Sequence, residues 1–414
     1  MQVSHVLGRN KTMNNISILD QIINTNIADE VNSLNAVDII NNLFNELSDR
    51  EKDVLIRRHG LHTSKKETLE SIGNAHKLTR ERIRQIETFS VKKLQQLEKL
   101  SEYVDNLRKV ILQLLESHGG LMEKDYLLDI LTSFSSFGAD SKEYDESVHK
   151  NYLNFMITKL LHDEFEEANN HKHFKKLYKL RYQDLNHFEE IVNELHGAVS
   201  KEDKIYKTEE IIDLIKEFDS YQKHANRLDI KSENLDVAKV FKKGLFSENI
   251  NIVNDNKPTF SILKAAKKVE QNKFGHWGVH NSREIKPKTI NDKIYLVLKN
   301  EKKPIHFSEI SEIINKIKFD GKIANPATVH NELILDKKYV LVGRGLYGLR
   351  EWGFKKGTVL DVIVDILSGN EEPMSREEII HKVLDKRMVK KATIILALMN
   401  KNKFNKVSGK YILS

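Results

Sequence analysis

Residues 68–95, TLESIGNAHKLTRERIRQIETFSVKKLQ, leave this chain little choice of local fold. Leu69, Ile72 and Ala75 recur on one face of a short helix. Thr79 is placed to cap a second helix that runs to about Leu100. Only His76, Lys77 and Leu78 separate the two, so the helices must turn directly onto each other as a helix-turn-helix. The stretch before it, LSDREKDVLIRRHGL (47–61), reads as one more helix. Ser48 caps its start with Glu51 at the third helical position, and Gly60 followed by Leu61 marks a left-handed end.

At 100° per residue the second helix of the motif has two faces. Ile83, Ile86 and Ser90 fall on one side, continued by Leu94 and Leu97. Glu81, Arg84, Gln85 and Thr88 fall on the other, and Arg80 projects from the first turn. A helix that enters the major groove presents such residues from its N-terminal turns. Arginine bonds guanine in a bidentate way, glutamate accepts from cytosine and glutamine pairs with adenine. Arg80, Glu81, Arg84 and Gln85 are therefore candidate base readers, with Lys77 and Arg82 candidate phosphate contacts beside them. The same residue types also suit a solvated face laced by i,i+3 and i,i+4 salt bridges.

A second pattern recurs along the rest of the chain. VILQLLESHGGLMEKDYLLDIL from Val110, IVNELHGAVSKEDKIYKTEEIIDLI from Ile191, IYLVLKNEKKPIHFSEISEIINKI from Ile294 and VIVDILSGNEEPMSREEIIHKVL from Val362 each read as helix, polar turn, helix. Ser308 and Ser375 are the expected caps of the last two second helices, and Ser375 has Glu378 three residues on. YVLVGRGLYGL (339–349) and FNKVSGKYILS (404–414) read as strand pairs about glycine turns, with HFKKLYKLR (173–181) a weaker version. Three helices closed by a hairpin make a winged helix. The expected fold is mainly α, with tandem helix-turn-helix and winged-helix domains carrying small β-hairpin wings. The expected segments are an N-terminal helical stretch (1–42), the helix-turn-helix (43–100) and winged-helix-like units over 105–183, 186–280, 288–354 and 357–414.

Charge bears on partners. The net charge of +7 favours polyanions, yet Lys, Asn and Ile are all abundant, so composition alone accounts for it and placement must decide. In the last segment Lys386, Arg387, Lys390 and Lys391 gather in DKRMVKKATI, at the expected start of a third helix, where they are candidate phosphate contacts. Arg344, at an expected wing tip, is another. For these positions a solvated charged face is the alternative.

Several chemistries are excluded. Without cysteine there are no disulfides, thiolate metal sites or cysteine nucleophiles. No apolar run has the length of a membrane span, and the first 30 residues hold no apolar signal core, so a cytoplasmic, nucleoid-associated place is expected. No phosphate-binding glycine loop, nucleophile elbow or HExxH is present, so neither enzyme activity nor a cofactor is expected. HDEFEEANNHKH (162–173) gathers His162, Glu164, His171 and His173 but offers zinc no fourth ligand at a fixed spacing.

LSDREKDVLIRRHGL and ETLESIGNAHKLTRERIRQIETFSVKKL together resemble region 4 of bacterial primary sigma factors, the part that reads the −35 promoter element. The likeness runs from about Leu47 to Leu100. It implies double-stranded DNA as a partner, base reading by Arg80, Glu81 and Gln85, and Arg84 as a further contact that also meets neighbouring activators. It implies RNA polymerase as a second partner, through docking on the β flap. Two features depart from the family. About 40 residues precede Leu43, too few for the sigma regions that bind core enzyme and melt the −10 element, and Phe89 and Ser90 replace small residues followed by a basic run. The expected role is a DNA-binding transcription factor that modulates initiation and is not a complete sigma factor.

Residues 303–354 resemble the HARE-HTH domain, a winged-helix module of the RNA polymerase delta subunit, of some restriction endonucleases and of eukaryotic chromatin proteins. Pro304, His306, ATVHNEL (327–333) and VGRGLYGLREWG (342–353) carry the likeness. Within it Trp352 and Tyr347 are expected to close the core, and His330 and Asn331 to be exposed. The competing roles are a polymerase-docking protein without sequence-specific DNA binding and a specificity module of a DNA-modification system.

Overall fold

The computed structural model describes residues 35–63, 65–134, 146–161, 165–202, 204–228, 248–354, 356–370 and 372–414. Most of the expected 1–42 stretch, and His162 and Glu164, lie outside the described residues. The architecture is mainly α with small antiparallel hairpins. Two compact units divide after Glu270, inside the segment expected to span 186–280. No described helix is long and apolar enough to cross a membrane.

The first unit opens with α1 (Ala36–Phe44), α2 (Asp49–His59), α3 (Leu69–His76) and α4 (Arg80–Gln95). Their starts follow the caps in the sequence: Asn35, Ser48, Thr68 and Thr79 each accept from an N–H in the first turn. Ser48 and Glu51 form the reciprocal capping box, and Gly60 ends α2 at φ 65°.

Next come α5 (Leu100–Ser117), β1 (Leu121–Glu123), α6 (Lys124–Phe134) and α7 (Glu146–Phe155), which runs on through the π-helical turn Met156–Leu160. Strands β2 (Phe165–Ala168) and β3 (Leu177–Leu180) complete an antiparallel sheet in the order β1-β3-β2. The expected hairpin within 173–181 is thus one strand only, and its hairpin partner is β2, further upstream. This is the element order of a winged helix, with α7 as its third helix.

That third helix is covered by protein. Phe155 is fully buried, its ring 6.0 Å from Phe44 of α1 and 4.8 Å from His59 of α2. Asn151 Nδ2 donates to Gly60 O at 3.0 Å, and Gln95 Nε2 of α4 donates to Lys159 O at 2.7 Å. Val148, Tyr152, Leu153, Met156, Ile157 and Leu160 are buried as well. The unit continues through α8 (Asn186–Glu202), α9 (Thr208–Lys216) and α10 (Lys257–Ala265). Ser261 Oγ donates to Leu121 O at 2.6 Å, seating α10 on β1.

The second unit contains the same order twice. In the first copy α11 (Ile290–Glu301), β4 (Ile305–His306), α12 (Phe307–Ile317), α13 (Pro326–Leu335), β5 (Tyr339–Leu341) and β6 (Leu346–Leu349) form a sheet in the order β4-β6-β5. Its core includes Ile294, Val297, Ile310, Ile314, Val329, Leu333, Tyr339 and Tyr347, with Trp352 against it. Ser308 is not the cap of α12. His306 is, its Nδ1 accepting from Ser308 N at 3.4 Å, because the helix already starts at Phe307 and Ser308 lies inside its first turn. In the second copy α14 (Val359–Ser368), α15 (Arg376–Lys386), α16 (Lys391–Leu398), β7 (Phe404–Val407) and β8 (Lys410–Leu413) follow, and Met374 bridges to Tyr411 of β8. Ser375 and Glu378 form the expected capping box.

Candidate nucleic-acid interface

The helix-turn-helix closes on a small core of Val54, Ile72 and Ile83, with Leu69, Leu78 and Ile86 packed around it. Gly73 lets α3 approach the turn: a Cβ there would stand 2.7 Å from Leu78 O. Leu78 N bonds back to Gly73 O at 2.9 Å, and Lys77 takes the left-handed conformation at φ 57°. Thr79 Oγ1 accepts from Arg82 N at 3.2 Å and starts α4. Ion pairs and histidine–carboxylate contacts clamp the motif from behind. Asp53 Oδ2 lies 2.9 Å from Arg57 Nε and 2.7 Å from His76 Nε2, tying α2 to α3. Glu87 lies 3.5 Å from Arg58 Nε and 3.4 Å from His59 Nε2, tying α4 to α2.

On α4, Ile83, Ser90 and Leu94 are buried and Ile86 is half-buried, while Arg80, Glu81, Arg82, Arg84, Gln85 and Thr88 are exposed. The outward face is not a set of free side chains. Arg84 grips the Glu81 carboxylate with two bonds, Nη2 to Oε1 at 2.7 Å and Nε to Oε2 at 2.9 Å. This grip holds the Glu81 carboxyl below its ordinary value and the Arg84 guanidinium above its own. Arg82 Nη1 donates to Gln85 Oε1 at 3.2 Å. The salt-bridged face and the base-reading face are thus the same face. Both pairs are solvent-exposed, where ion pairs are screened and exchange readily. The Arg80 side chain makes no hydrogen bond among the described residues, although its charge is felt by the neighbouring Glu81 carboxylate.

Two features of this surface were not evident in the sequence. Lys66, just before α3, is exposed, yet partial desolvation and the ammonium groups of Lys124 and Lys176 hold it below the ordinary lysine value against the opposing Glu167 carboxylate. Phe89, which departs from the family pattern, is 63% exposed on α4.

The other candidate cations fall in different places. Arg344 is exposed at the tip between β5 and β6. Lys390 occupies the N-cap position of α16 without a side-chain capping bond and Lys391 is its first residue, both exposed. Lys386 is exposed but ends α15. Arg387 is not available to phosphate. It is 6% exposed, and its guanidinium donates to Leu341 O and Gly357 O, because Met388 N bonds Val342 O and turns the preceding side chain inward. On α13 Asn331 is exposed, but His330 is half-buried between the Phe307 and Tyr347 rings. Among the described residues no group of three or more metal-ligating side chains gathers, and His171 pairs instead with Glu189 at 3.0 Å.

Lys77→Gly separates stability from binding at this surface. Glycine removes the strain of a left-handed lysine and is expected to raise stability by about 1 kcal/mol in chemical denaturation. Loss of the ammonium is expected to weaken DNA binding on every sequence and lower the salt slope by about 1.

Residues 43–96 match the family Sigma-70, region 4. Over 79 residues the chain is 42% identical to the RNA polymerase sigma factor SigA of Microcystis aeruginosa, covering 18% of this chain and 19% of that protein. It is 40% identical over 77 residues to SigA of Lactococcus lactis subsp. cremoris, covering 19% and 21%. It is 38% identical over 84 residues to the sigma factor RpoS of Coxiella burnetii, covering 20% and 24%. The chain spans about a fifth of the length of the curated relatives it matches. No solved structure matches it significantly.

Proposed function

We propose that this chain is a transcription factor whose α4 reads a −35-type element in duplex DNA, and that it associates with RNA polymerase to modulate initiation. The observation that carries the reading is the exposed row Arg80, Glu81, Arg84 and Gln85 on the second helix of a motif that matches sigma region 4. A sigma region 4 is a DNA-binding, polymerase-associated element, which makes a role in transcription the natural one. Lys77 and Arg82 act on flanking phosphates, and Arg344 does so from its hairpin tip. The β flap of the polymerase is the proposed docking partner. We further propose that residues 303–354 are a HARE-HTH-type winged helix, a module that also occurs in a polymerase subunit.

Arg80→Ala is the direct test. On a site with guanine at the contacted position it is expected to cost about 1–3 kcal/mol and to relax preference for that base. Fluorescence anisotropy on a −35-type duplex and single-base variants measures both. Equal binding by wild type and Arg80→Ala on every duplex would remove base reading by α4.

A further inference from the structure

The three winged-helix arrangements share one topology but not one surface. In the first, the third helix α7 is buried against α1 and α2. In the second, α13 and its hairpin mix Glu332, Asp336 and Glu351 with Lys337, Lys338, Arg344 and Arg350. The last is polarised. Residues 357–386 hold three cations and seven acids, whereas residues 387–414 hold seven cations and no Asp or Glu. That acid-free stretch comprises α16, the turn after it and the β7-β8 hairpin.

Of its seven cations, Arg387 is committed to backbone carbonyls. The six lysines, Lys390, Lys391, Lys401, Lys403, Lys406 and Lys410, are all exposed, and none forms an ion pair among the described residues. Lys403 and Lys410 sense Asp361 and Glu378 through space, but those carboxylates accept the capping hydrogen bonds of Thr358 and Ser375. Lys406 lies over the Tyr411 ring, its Nζ 5.8 Å from the centroid, which holds the ammonium at the turn end of the hairpin.

We propose that the C-terminal winged helix is a second duplex-binding site, which grips the phosphate backbone through α16 and its hairpin and does not read sequence. Lysine is a compact point charge suited to phosphate, without the fork that recognises guanine. The exposed residues within α16 beyond its first lysine are Ala392, Thr393 and Leu396, so the helix itself offers no arginine, asparagine or glutamine for bidentate base contact, and the nearest exposed amide, Asn400, lies past its C-terminal end. The two sites then divide the work: α4 selects, and the C-terminal unit raises the effective concentration of the chain along the duplex. The site stands on its own charges and does not depend on base reading by α4.

The test uses the full chain with Lys390, Lys391, Lys406 and Lys410 changed together to Gln, titrated with a random duplex that lacks any −35-type element. Affinity is expected to fall at least about tenfold, and the slope of log K against log salt by about 3–4, since each phosphate contact contributes about 0.9. The hairpin pair Lys406→Gln with Lys410→Gln, which leaves α16 untouched, is expected to lower the slope by about 2. Circular dichroism confirms the fold of each variant. An unchanged slope in the hairpin pair overturns the proposal. So does competition by poly-glutamate equal to that of duplex at matched charge, which would make an acidic polypeptide the ligand. Repeating the titration in the Arg80→Ala background keeps the two readings apart: loss of base preference there leaves the C-terminal slope change in place.

Discussion

Phe155→Ala is expected to lower stability by about 3–5 kcal/mol, the range for a large aromatic removed from a packed core. The ring is fully buried between Phe44 of α1 and His59 of α2, so the cavity opens where the first winged helix meets the helix-turn-helix. Both should therefore loosen together. Urea denaturation would show the shift, and hydrogen exchange would show faster opening of α1 and α2 as well as α7. Exchange confined to α7 would mean that the helix-turn-helix stands without it. Phe89→Ala is the control, since an exposed aromatic on α4 should change stability by no more than about 0.5 kcal/mol. The same core should weaken in acid. Burial pushes His149 of α7 down to about 4 and lowers His59 of α2 as well. An unfolded histidine titrates near 6.5. The unfolded chain thus takes up protons first, and stability is expected to fall as pH drops from about 6.5 toward 4.

Gly73→Ala is expected to act on the turn itself. The added Cβ would lie 2.7 Å from Leu78 O, a backbone atom fixed by its place between two helices. Overpacking of this kind costs about 1–3 kcal/mol. Relief can come only by rotating α3 away from α4, which moves Arg80 and Glu81 off their line. Site-specific affinity is therefore expected to fall by about tenfold or more, a loss of about 1.4 kcal/mol, while binding to random duplex through the C-terminal lysines is retained. Gly197→Ala provides the contrast. No atom lies within 4 Å of the added Cβ in α8, so the better helix former should stabilise by about 0.5–1 kcal/mol. Equal stability and equal specific binding in Gly73→Ala and wild type would mean the turn has room that the geometry denies.

The helix-turn-helix was legible because its determinants are local. Ser48 with Glu51, Gly60 and Thr79 mark helix ends within four residues, and the stripe of Ile83, Ser90 and Leu94 follows from helical period alone. The helix-helix-hairpin element order over 105–183, 288–354 and 357–414 follows from the same local signals, whereas the segment expected over 186–280 is divided after Glu270. What escaped notice is long-range. Asn151 meets Gly60 across 91 residues, and nothing in the amphipathic pattern of α7 says whether its apolar face meets its own sheet or another module. Arg387 stands in a run of cations that reads as solvent-exposed, and only the bond from Met388 to Val342 turns it inward. The cap at His306 was hidden because serine is the commoner capping type, whereas the helix begins at Phe307 and leaves Ser308 within its first turn.

The Glu81–Arg84 grip bears on how forgiving α4 should be as a reader. Discrimination against a wrong base comes mostly from a polar group left without a partner. Glu81 and Arg84 each keep a partner in reserve, so at a mismatched position they can fall back on one another. Arg80 has no such refuge. Under base reading by α4, tolerance should gather at the base pairs facing Glu81 and Arg84, and stringency at the one facing Arg80.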